Sequence, residues 1–415
     1  MSAAVLRASD GASVIATPDL LGSLKGIPAA AQFGLRMLLR LKYGSLTLGL
    51  PDGRKILFQG EHDGTDATLL VRDFRFVGKS MAGGDIGFGE SYMNGDWDTP
   101  DLAGVLEFFS SNLDAATNLV KGGPVTRMMH WLYHRLRPNT RDGARKNISA
   151  HYDLGNDFYS AWLDPSMTYS SARFPRDGMT LEDGQREKYR ALAQSIDLSS
   201  DHHVLEIGCG WGGFAEFAAR DVGAQVTCLT ISKEQRDYAL QRMQRLQLNE
   251  KVDIKLQDYR DETGTYDRVA SIEMFEAVGE AYWPSFFSKV AETLKPGGMA
   301  GLQIISIRDD LFESYRKRAD FIQRYIFPGG ILPSMERLKQ EFSHAGLALK
   351  SVEAFAKDYA DTLAIWAEDF TGVWDDIKDH GFDERFKRMW LFYMAYCEAG
   401  FRTGRIDVAQ YALTR

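Results

Sequence analysis

The chain has 415 residues, which is more than one ordinary domain contains, so two or three domains are expected. Its composition, 44% apolar and 26% charged, is that of a soluble globular protein and excludes disordered, fibrous and membrane-bundle proteins. The 49 Lys and Arg residues against 57 Asp and Glu residues give a net charge of -8, which argues against nucleic acid as a partner.

Cysteine spacing and apolar runs limit the compartment in which the protein is expected. Cys209, Cys228 and Cys397 are not spaced as a CxxC pair or a metal quartet, so neither a disulfide framework nor a metal site is predicted. This usage fits a reducing cytoplasm. The first 30 residues lack the pattern of a secretory signal, and no run reaches the roughly 18 apolar residues that span a bilayer. Any contact with a membrane is therefore expected to be peripheral.

The N-terminal part of the chain predicts a small α+β domain. Residues 1–30 are rich in Ser, Ala and Gly and are predicted to be flexible, and the domain is assigned to residues 31–120. The stretch SLTLGLPDGRKILFQG alternates apolar and polar residues around a Pro-Asp-Gly turn, which is typical of a β-hairpin. The glycine-rich stretch 83–97 predicts a loop, and residues 102–120 have helical periodicity.

Residues 121–146 are basic, with seven Lys and Arg residues against one acid and with several aromatic and Met residues between them. Two interpretations remain open. The segment is either a solvated linker between domains or a surface that lies on anionic lipid.

Residues 147–415 alternate short β-branched strands with helices, which is typical of a parallel sheet covered on both faces. The predicted strands are 203–207, 225–230, 267–272 and 299–306. The predicted helices that alternate with them are 186–196, before the first strand, and then 212–220, 233–247 and 283–294. The ending DVAQYALT predicts a final strand.

The stretch VLEIGCGWGGF at residues 204–214 is a strand, a glycine-rich turn and the start of a helix. It fits the dinucleotide pattern GxGxxG, but the acid expected at the end of the next strand is replaced by Thr230, Ser232 and Gln235. Glu206 stands where it could face the ammonium of a methionine moiety. S-adenosylmethionine is therefore the favoured cofactor. Asp258 and Tyr259 follow the next strand and are candidates for contacts with adenine.

Read together, these motifs resemble the cyclopropane fatty acid synthase family of S-adenosylmethionine-dependent enzymes, including the mycolic acid cyclopropane synthases. The resemblance covers residues 147–415 and, more weakly, the domain before them. The matching stretches include HYDL with DFY, YS, GCGWG, TIS with Gln235, QDY, MFE, YIFP, DY and RFKRM.

The resemblance implies a seven-stranded, Rossmann-like class I methyltransferase sheet with a helical cover over a lipid tunnel. It also implies that the N-terminal domain helps to seat phospholipid. The residues expected to bind the cofactor are Tyr152, Tyr169, Ser170, Glu206, Gly208, Cys209, Gly210, Trp211, Gly212, Thr230, Ser232, Gln235, Asp258 and Tyr259. Aromatic faces beside a sulfonium would make cation–π contacts.

In the family, methyl transfer leaves a carbocation on the acyl chain, and a bound bicarbonate removes the proton. Glu276, Tyr359 and Ile305 match three of the groups that hold this bicarbonate. Ser171 replaces a Cys and Gln303 replaces a His, and Ala277 stands where a His usually follows the Glu. Glu276 is therefore expected to position the base in one of two ways, either directly or through a bound anion such as bicarbonate. Cys397 matches another family cysteine, for which catalysis and buried packing are both open interpretations.

The leading hypothesis is cyclopropane formation across a cis double bond in the acyl chains of membrane phospholipids. The second hypothesis is a methylene- or methyl-branched product, and the altered residues at 171, 277 and 303 favour it. A non-catalytic lipid-binding protein is the third. The family resemblance also implies a cytoplasmic protein on the inner face of the membrane, and a homodimer.

Overall fold

The computed structural model describes residues 13–116 and 154–415. The described chain divides into two compact units. The first unit contains the N-terminal residues and Gly381–Thr403, and the second contains the remaining residues. The basic segment 121–146 and Tyr152 lie outside the described residues, as do residues 1–12 of the segment predicted to be flexible.

The first unit is built on a five-stranded mixed sheet with the order β1-β3-β2-β4-β5. The predicted hairpin is present as β2 and β3, which pair antiparallel, and Gly53 in its turn has a φ of 87° that favours glycine. The strands are β1 Val14–Ile15, β2 Tyr43–Gly49, β3 Lys55–Gln59, β4 His62–Val71 and β5 Trp97–Asp98. The helices are Pro18–Ser23, Ala29–Leu38, Arg75–Met93, Leu102–Ala116 and Glu384–Arg402.

The prediction of a loop over the glycine-rich stretch 83–97 is wrong for most of its length. Helix Arg75–Met93 continues through it, with a kink at Gly84, where φ is 61°. Ile86, Tyr92, Met93 and Trp97 are buried, and the partly buried Phe88 stacks on Trp97 with ring centroids 4.4 Å apart. Burial of these side chains offsets the low helix propensity of the glycines.

The second unit is built on a seven-stranded sheet with the order β11-β12-β10-β9-β6-β7-β8. The five strands from β10 to β8 are parallel, and β12 runs antiparallel to both of its neighbours. The strands are β6 His203–Ile207, β7 Gln225–Thr230, β8 Val252–Leu256, β9 Tyr266–Ile272, β10 Leu294–Ile307, β11 Ala348–Ala354 and β12 Ile406–Thr414.

Helices cover both faces of this sheet, as the alternation of strands and helices predicts. The α-helices are Asn156–Ser160, Leu181–Ser195, Gly213–Phe217, Lys233–Arg245, Trp283–Thr293, Asp309–Tyr315, Phe321–Tyr325, Met335–His344, Ala356–Gly372 and Trp374–Ile377. A π-helical turn spans Ala218–Val222, and 3-10 turns span Tyr259–Asp261, Phe275–Ala277, Glu280–Tyr282 and Lys378–His380. Among the described helices, none is long and apolar enough to cross a membrane.

Two apolar clusters lie on the sheet of the second unit and bury its central strands. Val204, Leu205 and Val269 are 0% exposed, so the middle of the central strands is fully buried. In such a sheet the carboxyl ends of the parallel strands meet at one edge, and polar side chains collect there.

Candidate active site

The glycine loop joins β6 to the helix that begins at Gly213, and its backbone geometry requires glycine. Gly208 has a φ of 83°, and a Cβ at this position would lie 2.5 Å from Cγ of Met274. Gly210 has a φ of 51°, and a Cβ there would meet no atom of the described residues within 4 Å. The N–H groups of Gly208 and Cys209 donate to the carbonyl of Leu229, which holds the loop against β7. The loop therefore leaves open space beside Gly210, where a ligand can approach the backbone.

Glu206 lies near the carboxyl end of β6 and is only 3% exposed. Burial raises the pKa of Glu206 to about 7, and the Cys228 thiol and the charge of Lys188 act in the opposite direction. The Cys228 Sγ lies 3.5 Å from Glu206 Oε2. A buried carboxylate of this kind gains free energy when a cation comes next to it, as the ammonium of a methionine moiety would.

Three buried polar residues, Thr230, Ser232 and Gln235, lie at and just after the carboxyl end of β7, at the same edge of the sheet. The Thr230 hydroxyl donates to Gln235 Oε1 over 3.1 Å, and the Ser232 hydroxyl accepts the N–H of Gln235 at the start of the next helix. These residues, predicted to bind the cofactor, therefore form one local hydrogen-bonded group.

Asp258 and Tyr259, the predicted adenine contacts, follow β8. The carboxylate of Asp258 accepts hydrogen bonds from Arg260 Nε and Nη2 over 2.9 and 2.6 Å. Burial raises the pKa of Tyr259 to about 12, and its ring packs edge-on against Phe286 with centroids 5.4 Å apart. An amino group of a ligand would therefore share Asp258 with the guanidinium of Arg260.

Aromatic rings surround two of the predicted cofactor residues, Tyr169 and Trp211. The ring of Tyr169 lies 5.2 Å from that of Trp366 and 5.4 Å from that of Tyr159. Trp211 packs on Tyr159 at 5.1 Å, and its indole N–H donates to Asn156 Oδ1 over 2.7 Å. The rings of this cluster have negative faces that favour a nearby sulfonium.

The described residues fit S-adenosylmethionine. The carboxylate of Glu206 suits the ammonium of the methionine moiety, the polar group after β7 suits a ribose, and the ring of Tyr169 suits the sulfonium. The open space beside Gly210 leaves room for the ligand to approach the loop.

Three hydrogen-bond donors converge on Glu273, the residue that directly follows β9. The N–H of Ser171 donates to Oε1 over 2.9 Å, and the Gln303 amide donates to the same oxygen over 2.7 Å. The hydroxyl of Tyr359 donates to Oε2 over 2.5 Å. Hydrogen bonds of this kind favour an ionised carboxylate and hold it in one orientation. The chain therefore has an anion site that it fills with its own side chain.

The backbone of Glu273 is strained. Its φ is 48°, in the left-handed region that non-glycine residues rarely adopt. The N–H of Glu273 donates to the carbonyl of Gln303 over 2.8 Å, which fixes this conformation against β10. Burial raises the pKa of Glu273, whereas the charge of Lys188 and the hydrogen bonds from Tyr359, Ser171 and Gln303 lower it. Strain and an unusual charge environment at one residue are typical of a functional site.

Glu276 lies three residues further on, in the 3-10 turn Phe275–Ala277. Its Oε1 accepts the backbone N–H of Ile305 over 2.6 Å. Its Oε2 is inaccessible and has no hydrogen-bond partner among the described residues. Burial and then the charge of Glu273 raise the pKa of Glu276 to about 8. Glu276 is therefore mostly neutral at pH 7, and the three donors and the charge of Lys188 favour ionisation of Glu273 over that of Glu276.

The structure thus divides the predicted anion-binding residues into two groups. Ser171, Gln303 and Tyr359 bind Glu273, and Ile305 binds Glu276. Ser171 contributes its backbone N–H, because its hydroxyl donates to the carbonyl of Ala172. Sequence reasoning missed Glu273, although a carboxylate directly after an apolar strand was a visible signal.

Two predicted site residues lie outside the described part of the second unit. Cys397 is partly buried on helix Glu384–Arg402, which belongs to the first unit. Tyr152 lies outside the described residues.

Comparison with known proteins shows related sequences along most of the chain. A family model described as mycolic acid cyclopropane synthetase matches residues 139–411. The chain is 41% identical over 347 residues to the tuberculostearic acid methyltransferase UfaA1 of Mycobacterium tuberculosis, covering 80% of this chain and 79% of that protein. It is 35% identical over 358 residues to the cyclopropane-fatty-acyl-phospholipid synthase of Escherichia coli K12, covering 84% of this chain and 88% of that protein.

Solved structures show the same relationship. The cyclopropane synthase MmaA2 from Mycobacterium tuberculosis superimposes with a TM-score of 0.62 at 29% identity, over 65% of this chain and 98% of that chain. The mycolic acid cyclopropane synthase CmaA1, complexed with SAH and CTAB, gives a TM-score of 0.61 at 29% identity over the same shares. These neighbours confirm the predicted class I methyltransferase fold, and together with the family match they confirm S-adenosylmethionine as the cofactor.

Proposed function

Because this chain belongs to the mycolic acid cyclopropane synthetase family, it is an S-adenosylmethionine-dependent methyltransferase of fatty acyl chains, and we propose that Glu273 is its catalytic base. We further propose that the product is a methylene-branched chain, formed at the double bond of an unsaturated acyl group. The three hydrogen bonds to the Glu273 carboxylate carry this proposal.

S-adenosylmethionine supplies an activated methyl group, whose transfer to a double bond leaves a carbocation on the neighbouring carbon. That cation becomes a stable product only when a proton leaves it, so the chain must hold a base close to the new methyl group. Water must also be kept away, because it would capture the cation as an alcohol. The aromatic rings around Tyr169 provide apolar surface of the kind that excludes water.

The geometry of Glu273 indicates which oxygen accepts the proton. Within the described residues, Oε1 accepts two hydrogen bonds, from Ser171 and Gln303, whereas Oε2 accepts one, from Tyr359. A carboxylate oxygen has two lone pairs in the carboxylate plane, so Oε2 keeps one for the departing proton. As a whole residue, Glu273 is partly rather than fully buried. The proton passes from the new methyl group to Oε2, and the electron pair of the broken C–H bond neutralises the cation.

Glu276 is not the base in this proposal, because its pKa of about 8 leaves it mostly protonated at pH 7. Its neutral form limits the repulsion between two neighbouring carboxyl groups. It also accepts the N–H of Ile305 and so fixes the end of β10 beside Glu273.

Bound bicarbonate is not required in this proposal. The Ser171, Gln303 and Tyr359 groups expected to hold it bind the carboxylate of Glu273, which has the same planar arrangement of two oxygens. A covalently attached base is present in every molecule of the enzyme, so turnover is independent of dissolved bicarbonate.

The strength of the base favours the methylene-branched product. Compared with an equally buried carboxylate that lacks them, the three hydrogen bonds lower the basicity of Glu273 and slow proton loss. During this delay, hydride migrates from the methylated carbon to its neighbour and converts a secondary cation into a more stable tertiary one. Proton loss from the methyl group then gives an exocyclic methylene group. The 41% identity to a tuberculostearic acid methyltransferase also supports this product.

Cyclopropane formation is the second candidate, and the 35% identity to a cyclopropane-fatty-acyl-phospholipid synthase favours it. In that case proton loss precedes the hydride migration, and the methyl carbon closes a ring. Both products have the same mass, so mass alone does not separate them.

A substrate with deuterium on both carbons of the double bond separates the two outcomes. The purified enzyme is incubated with S-adenosylmethionine and phospholipid vesicles that carry the labelled acyl chain, and the product is analysed by NMR. The proposed route moves one deuterium, so both are found on one carbon beside the new methylene group. If each ring carbon instead keeps its own deuterium, the enzyme is a cyclopropane synthase and the branched-product proposal is wrong.

A further inference from the structure

Lys188 is a buried lysine that the proposed reaction does not use. It lies on helix Leu181–Ser195, which begins with a capping box formed by Thr180 and Asp183. Lys188 is 0% exposed, and it is the only lysine among the described residues that is fully buried. Burial of an ammonium is costly unless hydrogen bonds and negative charges compensate for it. Its surroundings therefore indicate what it does.

Lys188 and its neighbour Gln185 hold both polar groups of Ser170. The ammonium donates to the Ser170 hydroxyl over 2.6 Å and to Gln185 Oε1 over 2.7 Å. The amide of Gln185 donates to the Ser170 carbonyl over 2.9 Å. Because the Ser170 hydroxyl accepts from Lys188, its own proton is directed away from the ammonium. This pair of residues thus fixes the position of Ser170.

Two hydrogen-bonded routes lead from Lys188 to Glu273. In the first, Ser170 is followed directly by Ser171, whose N–H donates to Glu273. In the second, the Gln410 amide donates to the carbonyl of Lys188 over 3.0 Å and to Gln303 Oε1 over 3.1 Å. Gln303 in turn donates to Glu273. A displacement of Lys188 would therefore move two of the three donors that orient the carboxylate.

Charged and titratable groups face Lys188 from several elements. Burial lowers the pKa of Lys188 to about 7, and the charges of Glu273, Asp164 and Glu206 act against this change, in that order. The ammonium also lies 4.7 Å from the ring centroid of Tyr189, on its own helix. Conversely, the charge of Lys188 opposes the effect of burial on the pKa of Glu273.

We propose that Lys188 is a positioning residue for proton removal: its ammonium holds the Ser170–Ser171 segment against Glu273 and stabilises the ionised form of that carboxylate. This inference rests on the proposed role of Glu273 as base. In this proposal Lys188 acts through Glu273 and does not contact the reacting atoms.

Two substitutions separate the charge of Lys188 from its hydrogen bond. Lys188→Met removes both, and Lys188→Gln removes the charge while keeping a donor for Ser170. Both variants are expected to lose about tenfold or more in kcat near pH 6, because Glu273 is then less ionised, with a change in KM below about threefold. The deficit is expected to shrink as the pH rises, because Lys188 of the parent enzyme loses its charge above its pKa of about 7 and a higher pH favours the ionised form of Glu273 in all three proteins.

Arg190→Met is the matched control, because it removes a positive charge from an exposed position on the same helix. This variant is expected to follow the parent pH profile. Circular dichroism and calorimetric titration with S-adenosylhomocysteine verify that each variant folds and binds the cofactor product. If Lys188→Met does not fold, Lys188→Gln alone decides the role of the charge.

A deficit in Lys188→Gln that stays constant from about pH 6 to about pH 9 would overturn the inference, because a purely structural loss does not depend on the ionisation of Glu273. A Lys188→Gln variant whose kcat depends on pH in the same way as that of the parent enzyme would also overturn the inference. Glu273→Gln, measured in parallel, distinguishes this failure from failure of the proposed function. If Glu273→Gln turns over at the parent rate, the assignment of the base itself is wrong.

Discussion

Glu273→Gln is the most direct test of the proposed base, because glutamine keeps the shape of the side chain and cannot take the proton. A positioned general base contributes about 100-fold to about 10,000-fold to a rate. We therefore expect the variant to lose at least about 100-fold in the rate of product formation, with a change in lipid KM below about threefold. Alcohols formed when water captures the cation are expected among its residual products.

Glu273→Gly extends the test, because it removes the carboxylate and leaves the donors of Ser171, Gln303 and Tyr359 in place. The left-handed backbone at this position costs about 1 kcal/mol or more with a side chain and almost nothing with glycine, so the variant is expected to fold. Three hydrogen bonds to an anion, at about 1.5 kcal/mol each, give about 4.5 kcal/mol, which corresponds to a millimolar Kd. Millimolar bicarbonate or formate is therefore expected to restore turnover by about tenfold or more.

Turnover is measured by mass spectrometry of the acyl chains in buffer purged of carbon dioxide, with and without added anion. Glu341→Gln serves as the control, because Glu341 is a buried, ion-paired glutamate of the same unit and is only 1% exposed. The control is expected to keep the parent kcat. The reasoning is refuted if Glu273→Gln forms product at the parent rate, or if the parent enzyme itself stops when bicarbonate is withdrawn.

Three further predictions concern the cofactor, the second carboxyl group and the membrane. Gly210→Val places a branched side chain at a φ of 51° and in the open space beside the loop, so we expect calorimetry to show at least about tenfold weaker binding of S-adenosylhomocysteine. Glu276 has a pKa raised from 4.5 to about 8, so the free energy of unfolding should fall as the pH rises through this window. Glu276→Gln should reduce this fall in thermal melts while keeping most turnover at pH 7, and an unchanged pH dependence would contradict the assignment. Charge reversal of Arg135 and Arg137, in the basic segment outside the described residues, should weaken binding to anionic vesicles but not to the cofactor. Equal binding of the parent protein to neutral and anionic vesicles in a sedimentation assay would leave this segment as a linker.

The sequence alone determined the features that depend on residues close together in the chain. The hairpin β2–β3 follows from local alternation and a turn that needs Gly53. The alternation of strands and helices from β6 to β10 follows from periodicity, and the loop at Gly208 follows from the steric freedom of glycine. The local pattern was misleading over residues 83–97, because burial of apolar side chains overrides glycine propensity within a helix.

Only the tertiary structure decided the identity of the proposed base. The three donors to Glu273 come from residues 102, 30 and 86 positions away along the chain. No local pattern connects these residues, because the order of the strands in the sheet brings them together. The sequence predicted most members of this group, but it could not show that a carboxylate of the chain itself stands at their centre.

The charges at the site also depend on residues that only the fold brings together. Glu273 and Glu276 are chemically identical side chains three residues apart, and sequence reasoning favoured Glu276 as the residue that positions the base. Burial raises the pKa of both carboxyl groups. Three donors and the ammonium of Lys188 oppose this effect at Glu273, whereas only backbone hydrogen bonds oppose it at Glu276. Burial and hydrogen bonding set the protonation of a carboxyl group, and both are properties of the packed fold.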